Sequence, residues 1–348
     1  MPKSMPEAIP QPKPKKKLPV FVILLLILAG ILGGGALWQL WMLSADALVY
    51  DAPGYIVSGL PLDYGSPSSA ETSRKAYIHI YSTGKAPENA SGTSIPQSSV
   101  LMFSDWDAAA PALDYAPLIK AVSARARVFV VERPGHGWSG TKYSKRTVDN
   151  MVNDTLFALN AVAEAGPFVL VADGTSGLEA IHMAAKYPEM VDGIVFINAP
   201  PPAVYIYNPS RLLDLLKAHT YPVPRAAGIF RAVNIFRPAL FEPGPGVDPD
   251  WYRALYFRNV MSSGMRAEIR ALAGNAKDTL VEAAYLDVPC ETYMFEAAYY
   301  ENPEVTRVWD DFNASVSAVA SVSSLGPNLH QLASAEIAKS ILALIKQY

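Results

Sequence analysis

Cysteine is almost absent: Cys290 is the only one in 348 residues. A lone thiol forms no intrachain disulfide, so the fold must rest on its core, and Cys-rich zinc sites are excluded. Histidine is scarce as well. His79, His136, His182, His219 and His330 stand far apart, with no HExxH and no paired spacing on a helix face, which argues against a metal site and leaves no cofactor implied. Basic excess is missing outside the first 17 residues. That tail holds five lysines and one glutamate; the rest carries 24 basic and 31 acidic residues. A mildly acidic body gives no footing for nucleic acid.

One long apolar run is present. Leu18 to Leu37 has no charge, is long enough for a hydrocarbon core about 30 Å thick, and is followed by Trp38 and Trp41 where an interfacial aromatic belt sits. Lys13, Lys15, Lys16 and Lys17 precede it, which places the N-terminus in the cytoplasm by the positive-inside rule. The expectation is a disordered basic cytoplasmic tail over 1–17, a transmembrane helix in contact with lipid over 18–43, and a periplasmic or extracellular body. A cleaved signal peptide is the competing reading, since Ala45-Asp46-Ala47 has the small-x-small form. Gly30 and Gly34 are spaced for close helix approach.

Residues 44–75 read as a polar lead-in. From Ala76 to the end, short β-branched runs alternate with helical periodicity. Strands are expected at 76–81, 100–103, 127–131, 168–171, 193–197, 290–295 and 316–322. Helices are expected at 113–124, 148–162, 177–187, 306–312 and 335–344. This alternation predicts an α/β domain over 76–348 with a mostly parallel, doubly wound sheet. Residues 200–286 break the rhythm with proline, aromatics and helical spacing, and read as a helical lid inserted into that domain.

Several segments, taken in order, resemble the α/β-hydrolase superfamily over about residues 75–345. Glu132-Arg133-Pro134-Gly135-His136-Gly137-Trp138-Ser139-Gly140 resembles the turn after the family's fourth strand. Val169-Leu170-Val171, six residues, then Leu178-Glu179-Ala180 resembles its strand, nucleophile elbow and helix. Ala184 to Asn198 resembles that helix running into the sixth strand. The glycines at 135, 137 and 140 also fit a dinucleotide fingerprint, but no helix opens directly from them.

The resemblance implies a serine nucleophile, a histidine base, an acid and oxyanion donors. In the ungapped register Gly174 stands at the nucleophile position, Ala298 at the acid, Pro327 at the base, and Ser104-Asp105 where the oxyanion loop has His-Gly. The resulting expectation is a pseudohydrolase acting as a binding, scaffold or accessory subunit, with another membrane protein or complex as partner. The alternative is an active esterase- or lipase-like enzyme in a shifted register, using Ser176, His330 and Glu296.

Overall fold

The computed structural model describes residues 19–64, 76–85, 96–207, 211–300 and 303–348. The basic tail lies outside the described residues. Eight strands form one sheet: β1 (Tyr55–Ser58), β2 (Tyr77–Thr83), β3 (Ser99–Phe103), β4 (Val128–Glu132), β5 (Phe168–Asp173), β6 (Val191–Ile197), β7 (Cys290–Phe295) and β8 (Val319–Ser323). Their order is β1-β2-β4-β3-β5-β6-β7-β8. β2 runs antiparallel to β1 and β4, and every other pair is parallel.

β3, β4, β5 and β6 are buried along their whole length. Their unbroken apolar runs follow from having helices on both faces of a parallel sheet. One face packs on Val148–Ala161, Gly177–Lys186 and Pro303–Ser315, through Val152, Ala180 and Phe312. The other packs on Ala116–Ser123 and Ser334–Leu344, through Leu118, Val122, Ile337 and Ile341. The edge strands β1 and β8 are short and largely exposed.

Between β6 and β7 the chain leaves the sheet for a series of helices over 202–283, including Arg211–Thr220, Ile229–Phe236, Pro249–Asn259 and Ser263–Ala283. They form a lid beyond the C-terminal ends of the strands, the edge at which open α/β sheets hold their ligands.

Two differences from the sequence reading have physical causes. β1 lies inside the expected lead-in; four residues at an edge give too short an alternation to stand out. The N-terminal helix runs from Val20 to Val49, past the expected end at residue 43. Its apolar run stops earlier, but its last turns gain partners from the lid. Gln39 is buried, donating to the Phe257 carbonyl at 3.1 Å and accepting from Arg231 Nε at 2.8 Å. Arg231 also pairs with Asp46. The helix is long and apolar enough to cross a membrane.

Candidate functional site

The site is built at the C-terminal ends of β3 and β5. β5 ends at Asp173, a 3-10 turn carries Gly174 to Ser176, and the helix Gly177–Lys186 follows at once. This is the strand–turn–helix elbow. Gly174 holds the tip at φ +55°, the left-handed region that glycine adopts without strain. Gly177 lets the helix close on β6, since a Cβ there would come within 2.9 Å of the Ala199 side chain.

Asp105 fills the space in front of the tip. A Cβ at Gly174 would collide with its carboxyl group. Asp105 Oδ1 accepts from the Trp106 N–H at 2.7 Å, the Thr175 N–H at 2.9 Å and the Thr175 hydroxyl at 2.7 Å. In an acyl-transfer elbow, the N–H after the nucleophile and one from the loop after the third strand of the core receive the developing oxyanion. In this chain the N–H groups after the elbow tip and after β3, those of Thr175 and Trp106, both donate to the chain's own Asp105 carboxylate. Burial, with the Asp173 charge nearby, raises the Asp105 pKa, while the three donors oppose the rise.

Ser176 is buried, and its hydroxyl donates to the backbone carbonyls of Asp173 at 2.8 Å and Phe103 at 3.2 Å. His330 meets other groups. Its Nδ1 lies 2.8 Å from Asp173 Oδ2, an ion-pair distance without good hydrogen-bond alignment. Its ring lies against Tyr115, whose hydroxyl donates to the same Asp173 oxygen at 2.8 Å. Burial works against a charged His330 ring, but Asp173 and, behind it, Asp114 and Asp107 outweigh burial and raise its pKa. Glu296 opens the short helix after β7 and is exposed, outside the cavity wall. Ala298 and Pro327 do line the cavity, and the Pro327 carbonyl accepts from Asn198 Nδ2 at 2.6 Å. Ser104 is buried behind Asp105, its hydroxyl without a partner.

Between elbow and lid lies a cavity of about 560 Å³. Its wall carries the carboxylates of Asp105, Asp107, Asp114, Asp173 and Glu242 against Lys217 and His330. Trp106, Tyr115, Tyr221, Tyr252 and Tyr256 supply aromatic surface. Crowding shows in the acids. Asp107 is open to the cavity but ringed by protein; desolvation there, then the charges of Asp105 and Asp173, push it up to about 8. Burial lifts Asp114 to about 7 despite the opposing pull of His330. Among the described residues, no group of three or more His, Cys, Asp or Glu is placed to hold a metal ion.

A buried ionic network underpins the elbow. Arg133 donates to Glu179 on the elbow helix at 2.7 Å, to the Ser104 carbonyl at 2.9 Å, and to Glu268 on the lid helix at 3.2 Å. Arg146 joins Asp154 at 2.6 Å to Glu268 at 3.2 Å. The glycines of the 135–140 loop serve this architecture. A Cβ at Gly137 would collide with the Glu132 carboxylate, which accepts from the Trp138 N–H at 2.7 Å and pairs with His79 at 2.8 Å.

Asp107, Asp114, Tyr252 and Tyr256 escaped the sequence reading. Asp105-Trp106-Asp107 and the aromatic spacing from Trp251 to Tyr256 were visible signals, but only the topology brings them to one cavity.

No protein-family model matches the chain. It is similar to Uncharacterized protein YbdG of Bacillus subtilis, 26% identical over 165 residues, which are 46% of this chain and 51% of that protein. It is also similar to Uncharacterized protein C23C11.06c of Schizosaccharomyces pombe, 31% identical over 144 residues, 37% of this chain and 27% of that one. The matches thus span about half and about a quarter of those relatives. Among solved structures, an enol-lactonase from Burkholderia xenovorans covers 77% of this chain and 96% of its own at 16% identity and TM-score 0.54. A haloalkane dehalogenase variant from Bradyrhizobium elkanii covers 83% and 97% at 14% and 0.55. An epoxide hydrolase from Vigna radiata covers 77% and 93% at 16% and 0.56. The chain has the α/β-hydrolase fold: the sheet order, the elbow after β5 and the lid after β6 are those of that fold.

Proposed function

We propose that this protein is a membrane-anchored, non-catalytic α/β-hydrolase that binds a small organic cation in the cavity under its lid. The helix beginning near residue 18 spans the membrane, the tail is cytoplasmic, and the body faces the extracytoplasmic side. The observation that carries the loss of chemistry is the Asp105 carboxylate on the Thr175 and Trp106 N–H groups, before an elbow tip that is glycine. A substrate oxyanion would have to displace a tethered anion from the donors it needs. Ser176 supports the same reading, because its hydroxyl is turned to backbone carbonyls.

Cation binding follows from the wall. Among the described residues five carboxylates line the cavity against Lys217 and His330, with Glu242 paired to Arg253, and tyrosine and tryptophan faces supply cation–π attraction. A bound cation offsets the desolvation that raises both Asp107 and Asp114, and at Asp107 also the neighbouring charges of Asp105 and Asp173. The test is titration calorimetry on the full chain in mild detergent, comparing choline with its neutral tert-butyl isostere. Choline is expected to bind at least about tenfold tighter, a difference of about 1.4 kcal/mol. Equal affinities, or no binding of either, would overturn the assignment.

One observation favours a second reading with chemistry retained. Asp173 presents a carboxylate to the cavity with His330 2.8 Å away, a pair able in principle to attack an electrophilic carbon and then activate water. Incubation with small haloalkanes and epoxides, followed by intact mass, separates the two. An adduct lost in Asp173→Asn would favour chemistry.

A further inference from the structure

The N-terminal helix and the lid are one unit. At 1.5 Å per residue, the 30 residues of Val20–Val49 span about 45 Å, half again the roughly 30 Å of a hydrocarbon core. The lid meets this helix where the apolar run ends. Gly35 packs so closely on the Ala227 carbonyl that a Cβ would collide with it, and Gly228 lies against Trp38 and Gln39. Further on, Gln39 and Asp46 hold Arg231. A plain tether needs none of these contacts, and cleavage at Ala45-Asp46-Ala47 would remove all of them.

The helix Ile229–Phe236 has three distinct sides, at about 100° per residue. Phe230 points into the lid's own core beside Tyr221, and Arg231 points to the N-terminal helix. The third side carries Ile229 and Phe236, which are 41% and 82% exposed; Ile235, one turn after Arg231 and so beside it, is 67% exposed, Leu240 just beyond is 67% exposed and Val223 just before is 61%. Arg237 follows Phe236 and is exposed. Large apolar side chains in this number on one segment are unusual for a surface facing water. Apolar residues with a flanking arginine, level with the end of a membrane-crossing helix, match what an interfacial segment presents to lipid.

We infer that residues 222–241 of the lid bed into the lipid–water interface of the outer leaflet, with Ile235, Phe236 and Leu240 at the acyl boundary and Arg237 reaching the phosphates. This rests on the reading that the N-terminal helix spans the membrane. The cavity wall contributed by Tyr221 and Glu242 flanks this segment, so the pocket roof is held at the membrane surface.

The experiment uses the full chain in phosphatidylcholine–phosphatidylglycerol nanodiscs, in a Cys290→Ser background. Single cysteines at Leu26→Cys, Phe236→Cys, Leu240→Cys and Glu189→Cys carry an environment-sensitive fluorophore. The last lies beyond the elbow helix, at the opposite end of the sheet. The expected result is blue-shifted emission at positions 26, 236 and 240, with loss of emission at 236 and 240 when lipids carry a nitroxide near the headgroup. Position 189 should show neither. A blue shift at 26 with neither blue shift nor quenching at 236 and 240 would overturn the lid inference and leave the span standing. No blue shift at 26 would remove the span and the inference together. Shielding at 236 that vanishes with one copy per disc would assign this face to a second copy and also overturn it.

Discussion

Replacing Asp105 with alanine removes one acceptor oxygen from three donors at once, two backbone N–H groups and a hydroxyl, at 2.7–2.9 Å. Each such bond to a charged acceptor contributes on the order of 1.5–3 kcal/mol, and a buried donor left unpaired costs about 1–3 kcal/mol. Two effects reduce that sum. The donors face a cavity that water can enter, and Asp105 sits near Asp173, which raises its pKa and makes its charge costly. The net loss should be about 1–2 kcal/mol, or roughly 2–6 °C in Tm. Asp105→Asn keeps an acceptor oxygen and removes the charge. Because the folded pKa of Asp105 is raised, its contribution to stability is lost as pH rises through that value, so the asparagine variant should gain on the wild type with rising pH. The assay is thermal unfolding of the full chain in detergent, with formate against chloride at matched ionic strength. Formate should restore most of the alanine variant's lost stability and leave the wild type unchanged. If the alanine variant were as stable as the wild type, or formate had no selective effect, Asp105 would not hold the place described.

Gly174→Ser should give no esterase activity and should lower Tm by a few degrees, because its side chain would be forced against the Asp105 carboxyl group; ester turnover and melting of the variant check both. Arg133→Met strands Glu179 and removes one of the two arginines serving Glu268 in the interior, so a loss of about 3–5 kcal/mol is expected in urea unfolding. Choline affinity should rise on the order of ten- to hundredfold between about pH 6 and pH 9, as Asp107 near 8 and Asp114 near 7 give up their protons, and should then level off. The same two raised acids lend the empty protein stability that is full below about pH 4, fades as pH climbs, and is gone above the folded values of about 7 and about 8, which pH-dependent melting reads directly.

The core of the sheet was legible because β3 to β6 are buried on both faces and so are written as unbroken apolar runs between helical periods. β1 was hidden, since four residues at an exposed edge leave little pattern. The elbow could be placed because β5 and the helix at Gly177 bracket only a few residues, which left Gly174 and Ser176 as the positions in question. What faces them could not be read. Asp105 sits about 70 residues before the elbow, and its carboxylate seats on the Thr175 N–H only because β3 and β5 are neighbours in the sheet. The aromatic and acidic wall has the same origin, as Asp107 and Asp114 come from the segment after β3 while Tyr252 and Tyr256 come from the lid.

Loss of hydrolase chemistry is the central claim, and the most direct measurement is turnover by the full chain in detergent across ester, lactone, haloalkane and epoxide substrates. Wild type is to be run beside Asp173→Asn and Ser176→Ala, with intact mass after a fluorophosphonate. The account expects no turnover above the two variants and no added mass on the wild type. Turnover in the wild type abolished by either substitution, or a stoichiometric fluorophosphonate adduct, would contradict it.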